Sequence, residues 1–164
     1  MTGDDADGKD GNPHSTGKGK FPKPELKYVY TMHLTLGTPI QVNGPNGHRF
    51  IWPDVKGTFE GANMKGTVGG PAGDWATLRP DGTITLDARF MLTTDDGAII
   101  YKSVSGRSDR ETGLLTSSAE YETGDEKYAF LHRQQLIGYG FKTGYNASID
   151  YYICGREENK EEGN

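Results

Sequence analysis

Between Gly57 and Gly97 the chain reads GTFEGANMKGTVGGPAGDWATLRPDGTITLDARFMLTTDDG, and these 41 residues decide the fold class. Short runs of alternating apolar and polar residues are cut by Gly69-Gly70, Pro80-Asp81-Gly82 and Asp95-Asp96-Gly97. A period of two marks a strand with one face toward a core, and Asp-Gly between two such runs marks a hairpin turn. No helix of ordinary length fits between these glycines. The stretch predicts consecutive antiparallel strands.

The same alternation extends outward in both directions. From Lys27 to Leu36, Tyr28, Tyr30, Met32, Leu34 and Leu36 share one face, while Lys27, Val29, Thr31, His33 and Thr35 share the other. A Gly/Pro/Asn loop is expected from Gly37 to His48. Further strands are predicted at Phe50–Phe59 with a break at Pro53, Ala62–Val68, Trp75–Arg79, Thr83–Thr93 and Ala98–Ser105. Leu114–Glu122, Gln134–Phe141 and Tyr145–Cys154 complete the set. The run Gly69-Gly70-Pro71-Ala72-Gly73 reads either as backbone passing near a ligand or as a tight reversal, with Asp74 capping the turn. Asp125–Leu131 is the single helical candidate, with Asp125 as its cap.

About nine short, evenly spaced strands predict an all-β fold: a closed antiparallel up-and-down barrel, or else a sandwich. Closure removes the sheet edges that invite aggregation, and a barrel of this size can enclose one small ligand. Residues 1–24 are Gly, Asp, Lys and Pro with little to bury and are expected to be a disordered arm. Residues 25–154 form the expected barrel domain, and residues 155–164 a charged tail.

Composition narrows the function classes. The chain has 24 Gly, 9 Tyr and 6 Phe without a three-residue repeat, which suits many turns between aromatic-rich strands. Its net charge is −5, and Glu25–Cys154 carries 15 acidic against 12 basic residues with no basic run. A nucleic-acid partner is therefore not expected. Cys154 is the only cysteine, so an internal disulfide and a multi-cysteine metal site are excluded. No signal peptide or apolar span is seen, which points to a cytoplasmic protein without a membrane partner. Metal-ligand spacings, a phosphate loop and a nucleophile elbow are absent from the sequence, so no cofactor is expected.

Several polar groups remain as candidates. Thr83–Thr93 has an Ile84/Leu86/Ala88/Phe90/Leu92 face and a Thr85/Asp87/Arg89/Met91/Thr93 face, both partly apolar. Asp87 and Arg89 point the same way, either as a structural ion pair or as a lumen pair of base and oxyanion partner. Asp74 is a second candidate base, and His132 a titratable group close to neutrality. Trp75, Trp52, Tyr101 and Tyr128 offer aromatic walls, with Glu60 a further carboxylate.

Taken jointly, GTFEG, GG, GDW, LRPDG, LDARF, TTDDG and the later YETGDEKYAFL resemble a widespread bacterial and fungal family of small β-barrels catalogued as a domain of unknown function. The resemblance runs from Tyr28 to Ile153 and implies a lipocalin-like barrel. Glu60, Asp74, Trp75, Arg79, Asp81, Asp87, Arg89, Asp96 and Tyr128 match family positions. His132 stands where many members have Asn. Some fungal members are natural-product cyclases. Similarity to them implies stereoselective oxygen-ring closure by intramolecular hydroalkoxylation of a prenylated, phenalenone-type aromatic polyketide. Asp74, Asp87, Arg89 and His132 would then be catalytic, with Trp75, Glu60, Tyr101, Tyr128 and Trp52 binding substrate. A non-catalytic carrier of small hydrophobic ligands is the alternative, and strands with two partly apolar faces are compatible with a homo-oligomer.

Overall fold

Two of the turns read from Asp-Gly form as expected and set the hairpin geometry. Gly82 and Gly97 adopt φ of 84° and 93°, left-handed conformations that a side chain would oppose. Their amides close the turns onto Arg79 O at 3.1 Å and Thr94 O at 2.9 Å. The computed structural model describes residues 19–156, so most of the expected arm and tail lies outside the described residues.

Ten strands follow one another: β1 (Glu25–Leu36), β2 (Ile40–Gly44), β3 (Gly47–Trp52), β4 (Val55–Gly61), β5 (Lys65–Leu78), β6 (Thr83–Thr94), β7 (Ile99–Asp109), β8 (Leu114–Thr123), β9 (Leu136–Thr143) and β10 (Asn146–Gly155). Eight of them close antiparallel in the order β5-β4-β1-β10-β9-β8-β7-β6, with β6 returning to β5. The barrel predicted from sequence is thus the fold, and the sandwich is not. The β2–β3 hairpin is an excursion between β1 and β4. It adds β3 to the later half of β5, pairing Trp52 with Asp74.

Two local expectations are corrected. The loop expected at Gly37–His48 contains β2 and the start of β3. The reversal expected at Gly69–Gly73 is no turn: β5 continues through it. Its first half pairs with β4 and its second with β3, while β6 accompanies both. The glycines instead absorb a bulge, since register shifts between Gly69↔Met91 and Gly73↔Arg89. The helical candidate forms as a 3₁₀ helix, Glu126–Arg133, and the Asp125 carboxylate accepts the Lys127 amide at 2.9 Å.

Inward-facing side chains grade from large to small along the barrel. At one end Tyr30, Phe59, Leu92, Ile100, Tyr121 and Leu136 fill the interior, and the 3₁₀ helix seals it with buried Tyr128 and Leu131. Asp96 fastens that seal, accepting from Tyr128 Oη at 2.8 Å, Lys127 Nζ at 2.6 Å and Thr94 Oγ1 at 2.5 Å. Toward the other end, inward positions become Ala88, Gly106, Ser108, Gly138, Gly140 and Ala147. Neighbouring atoms close over the three glycines, and space stays unfilled beside Ala88, Ser108 and Ala147.

One charged-type side chain lies in the packed layer. Lys102 is fully buried among four aromatic rings, its Nζ 3.3 Å from the Tyr151 ring centre and 5.3–5.8 Å from those of Tyr30, Tyr121 and Phe90. Its one hydrogen-bond acceptor is Met32 Sδ at 3.7 Å. Each aromatic face favours an ammonium by about 0.5–2 kcal/mol, whereas taking the charge out of water costs several kcal/mol. Burial therefore pushes the Lys102 amine well below the ordinary lysine range. The folded state then binds fewer protons than the unfolded chain, so stability rises with pH up to the ordinary lysine pKa of about 10.4. Lys102→Met fills a similar volume without an amine to desolvate. It is expected to raise Tm, with the gap over wild type widest at acidic pH and narrowing as pH rises, read by thermal melts across pH.

Candidate functional site

The unfilled end of the barrel is a small cavity of about 100 Å³ that opens to solvent. Aliphatic side chains from nearly every strand form its walls, among them Leu34, Leu36, Val55, Ile84, Leu86, Val104 and Leu115. Met32, Phe90 and Tyr151 also border it. It is smaller than a typical small-molecule site but has the composition of one, an apolar wall with a few placed polar groups. Here those groups are Asp74, Trp52, Ser108 and Lys142.

Asp74 reaches the lumen because β5 alternates: it shares the inward side with Ala72 and Ala76, while Trp75 faces out. Its Oδ1 accepts the Asp87 backbone amide at 3.1 Å. Desolvation outweighs that bond, and the nearby Asp87 charge adds to it, raising the Asp74 carboxyl to about 6. Opposite Asp74 on β3, Trp52 stacks on Phe50 with ring centres 5.9 Å apart. The Trp52 Nε1–H is buried and meets no acceptor among the described residues. An unmade bond at a buried donor costs about 1–3 kcal/mol. Gly73 permits this arrangement, since a Cβ there would sit 2.7 Å from Trp52 O. Lys142 is half-buried and donates to Gly144 O at 2.6 Å.

The other candidates do not converge on the lumen. Asp87 and Arg89 are on the outer face of β6, because Ile84, Leu86, Ala88, Phe90 and Leu92 point inward. They form a half-exposed ion pair at 3.2 Å, and the Arg89 guanidinium lies 5.6 Å from the Trp75 ring centre. The lumen reading of Asp87 and Arg89 is thereby corrected: β6 has one inward face, and the more apolar one takes it. Glu60 is exposed, 4.0 Å from His33 Nε2. Tyr101 points outward between inward Ile100 and Lys102. Tyr128 belongs to the seal at the closed end. His132 is exposed there, and its Nε2 accepts the Thr123 amide at 2.8 Å. Of the nine candidates, Asp74 and Trp52 alone line the cavity.

Lys102 and Lys142 went unnoticed in the sequence, although each carried a signal. Lys102 interrupts the Ile100/Val104 face of an alternating strand, and Lys142 continues the Leu136/Gly138/Gly140 face.

Comparison with known proteins places this barrel in a family. The family described as "Protein of unknown function (DUF3237)" matches residues 24–154. The chain belongs to that family. A UPF0311 protein of Rhodopseudomonas palustris is 26% identical over 148 residues, covering 80% of this chain and 97% of the relative. The hydroalkoxylation enzyme phnH of Penicillium herquei is 28% identical over 117 residues, covering 70% of this chain and 73% of the enzyme. Among solved structures, a β-barrel-like protein from Acinetobacter baumannii superposes with a TM-score of 0.75 at 25% identity. That match covers 84% of this chain and 99% of the other. Among the described residues no helix is long and apolar enough to cross a membrane.

The Asp74 pKa carries a stability consequence with a definite sign. A carboxyl raised from 3.8 to about 6 holds a proton that the unfolded chain has released, so wild-type stability falls as pH rises across that interval. Asp74→Asn removes this dependence. Melts should show the variant gaining on wild type between those two pH values and keeping its advantage above them.

Proposed function

We propose that this barrel is a cyclase that closes an oxygen ring by intramolecular hydroalkoxylation of a prenylated aromatic polyketide. The observation that carries the reading is Asp74, a carboxyl raised to about 6, paired across the β3–β5 ladder with Trp52 in a mainly apolar cavity. The distant relationship to a hydroalkoxylation enzyme supports it. In such a reaction an O–H and a C=C become a C–O and a C–H, with mass and oxidation state unchanged. Proton movement and geometry suffice, so the reading needs no cofactor.

Asp74 is the base that takes the hydroxyl proton as the oxygen approaches the alkene carbon, and its carboxyl can return that proton to the neighbouring carbon. A group titrating near 6 is poised for both directions close to neutral pH. The Trp52 N–H donates to a substrate oxygen that gains electron density, a task made effective by low-dielectric surroundings. Apolar walls hold the flat ring system and present one face of the alkene. Proximity of this kind is worth several powers of ten in rate.

A carrier would use the same cavity without needing Asp74. The readings separate when a prenylated phenol is incubated with the protein and its product is analysed on a chiral column. The expected result is one enantiomer of unchanged mass, formed at a rate that rises with pH through about 6. Asp74→Asn should lower that rate by about 10²-fold or more while still binding the phenol. Arg89→Gln, on the outer face, should leave turnover little changed. Binding accompanied by racemic product at the uncatalysed rate would replace the cyclase with the carrier.

A further inference from the structure

The cavity has a cation on its wall that ring closure does not use. Alternation along β9 points Leu136, Gly138 and Gly140 inward, and Lys142 is the last of that series before the hairpin to β10. Its cross-strand partner is Ala147, which also borders the cavity. The Lys142 amide donates to Gly113 O at 2.9 Å, fixing the strand end at the open rim. The side chain is half-buried and lines the same space as Asp74.

No counter-charge meets this ammonium. It donates to Gly144 O at 2.6 Å, which engages one of its three N–H groups and leaves two. Among the described residues no carboxylate forms an ion pair with it, Asp74 included. The acids closest to this rim are engaged elsewhere. Asp54, next to the end of β1, lies 4.0 Å from Lys56 Nζ. Asp109, in the turn that ends at Gly113, accepts the Glu111 and Thr112 amides at 2.8 and 2.9 Å. A chain of net charge −5 thus leaves a cation without an acid where its apolar cavity opens.

We infer that Lys142 anchors the anionic oxygen of an amphiphilic guest whose apolar end fills the cavity. Sites that enclose a whole drug-sized ligand measure about 300–1,000 Å³. This one, at about 100 Å³ and open to solvent, takes the apolar end of a molecule and leaves its head at the mouth. There the ammonium offers hydrogen bonds that are roughly twice as strong to an oxyanion as to a neutral oxygen. Asp74 adds a direction, since a carboxylate repels the same head that the ammonium attracts. The inference rests on the cavity being a guest site and holds for cyclase and carrier alike. In the cyclase it narrows the substrate to aromatics that carry a second, ionised hydroxyl besides the one that closes the ring.

The test is calorimetric titration of the full chain at low salt and about pH 8 with two pairs of probes. Octanoate is set against octanamide, and 4-nitrophenolate against 4-nitroanisole, so each pair differs mainly in the charge of its head. The charged member of at least one pair is expected to bind about tenfold tighter or more than its neutral partner. The pair with the wider gap tells a carboxylate head from a phenolate one. Lys142→Met should close the gap without weakening the neutral probes, and Lys142→Arg should keep it, with thermal melts confirming that both variants fold. Equal binding of charged and neutral probes, or a gap that persists in Lys142→Met, would overturn the anchor and leave the cavity as a guest site. Failure of all four probes to bind would overturn both.

Discussion

Closure of β6 onto β5 is the constraint on which the rest depends. Without it the sheet would end in two long edges, and nothing would distinguish a lumen from a second surface. With it, every strand acquires an inside. The ladder from Gly66↔Thr94 to Leu78↔Ile84 is interrupted by one bulge, so β5 can turn from β4 toward β3 on its other side without losing β6. The glycines at Gly69, Gly70 and Gly73 bend the strand where a run of β-branched residues would resist. That bend delivers Asp74 to the lumen opposite Trp52.

Much of this was legible in the sequence, because alternation and turn chemistry are local. The Asp-Gly turns, the strands around them and the Asp125 cap needed no tertiary information. Two things could not be read locally. Period-two alternation sorts residues into two faces but does not say which is inside, and β6 had apolar side chains on both. The pairing of Asp87 with Arg89 was correct, and its placement in the lumen was not. Gly69–Gly73 likewise carries the composition of a turn. It remains extended because two different neighbours claim the two halves of β5, a fact of topology rather than of that segment.

The lumen changes the chemistry of its ionisable groups in one consistent direction. Desolvation disfavours charge, so it raises the Asp74 carboxyl and lowers the Lys102 amine. In water the two groups titrate far apart and are both charged at neutral pH. Here their ranges approach one another: burial lifts the carboxyl to about 6 and draws the amine down from the ordinary lysine range. A barrel that brought the two into contact would have made an ion pair and quenched both. With Asp74 on the cavity wall and Lys102 in the packed layer beneath it, each is shifted by desolvation rather than paired with the other.

Filling one end of the barrel and leaving the other hollow divides stability from reactivity. The closed end buries Tyr30, Phe59, Leu92, Ile100, Tyr121 and Leu136 under the helix and latches that helix through Asp96. The open end gives up packing at Ala88, Ser108 and Ala147. Each position forfeits apolar burial worth about 25 cal/mol for every Å² of contact it does not make. A lone buried lysine and an unpartnered indole N–H add further cost on the same side of the ledger. A chain selected for stability alone would have closed the void and replaced both groups with hydrocarbon. The closed end tolerates what the open end costs, the buried Trp52 Nε1–H that meets no acceptor among the described residues included.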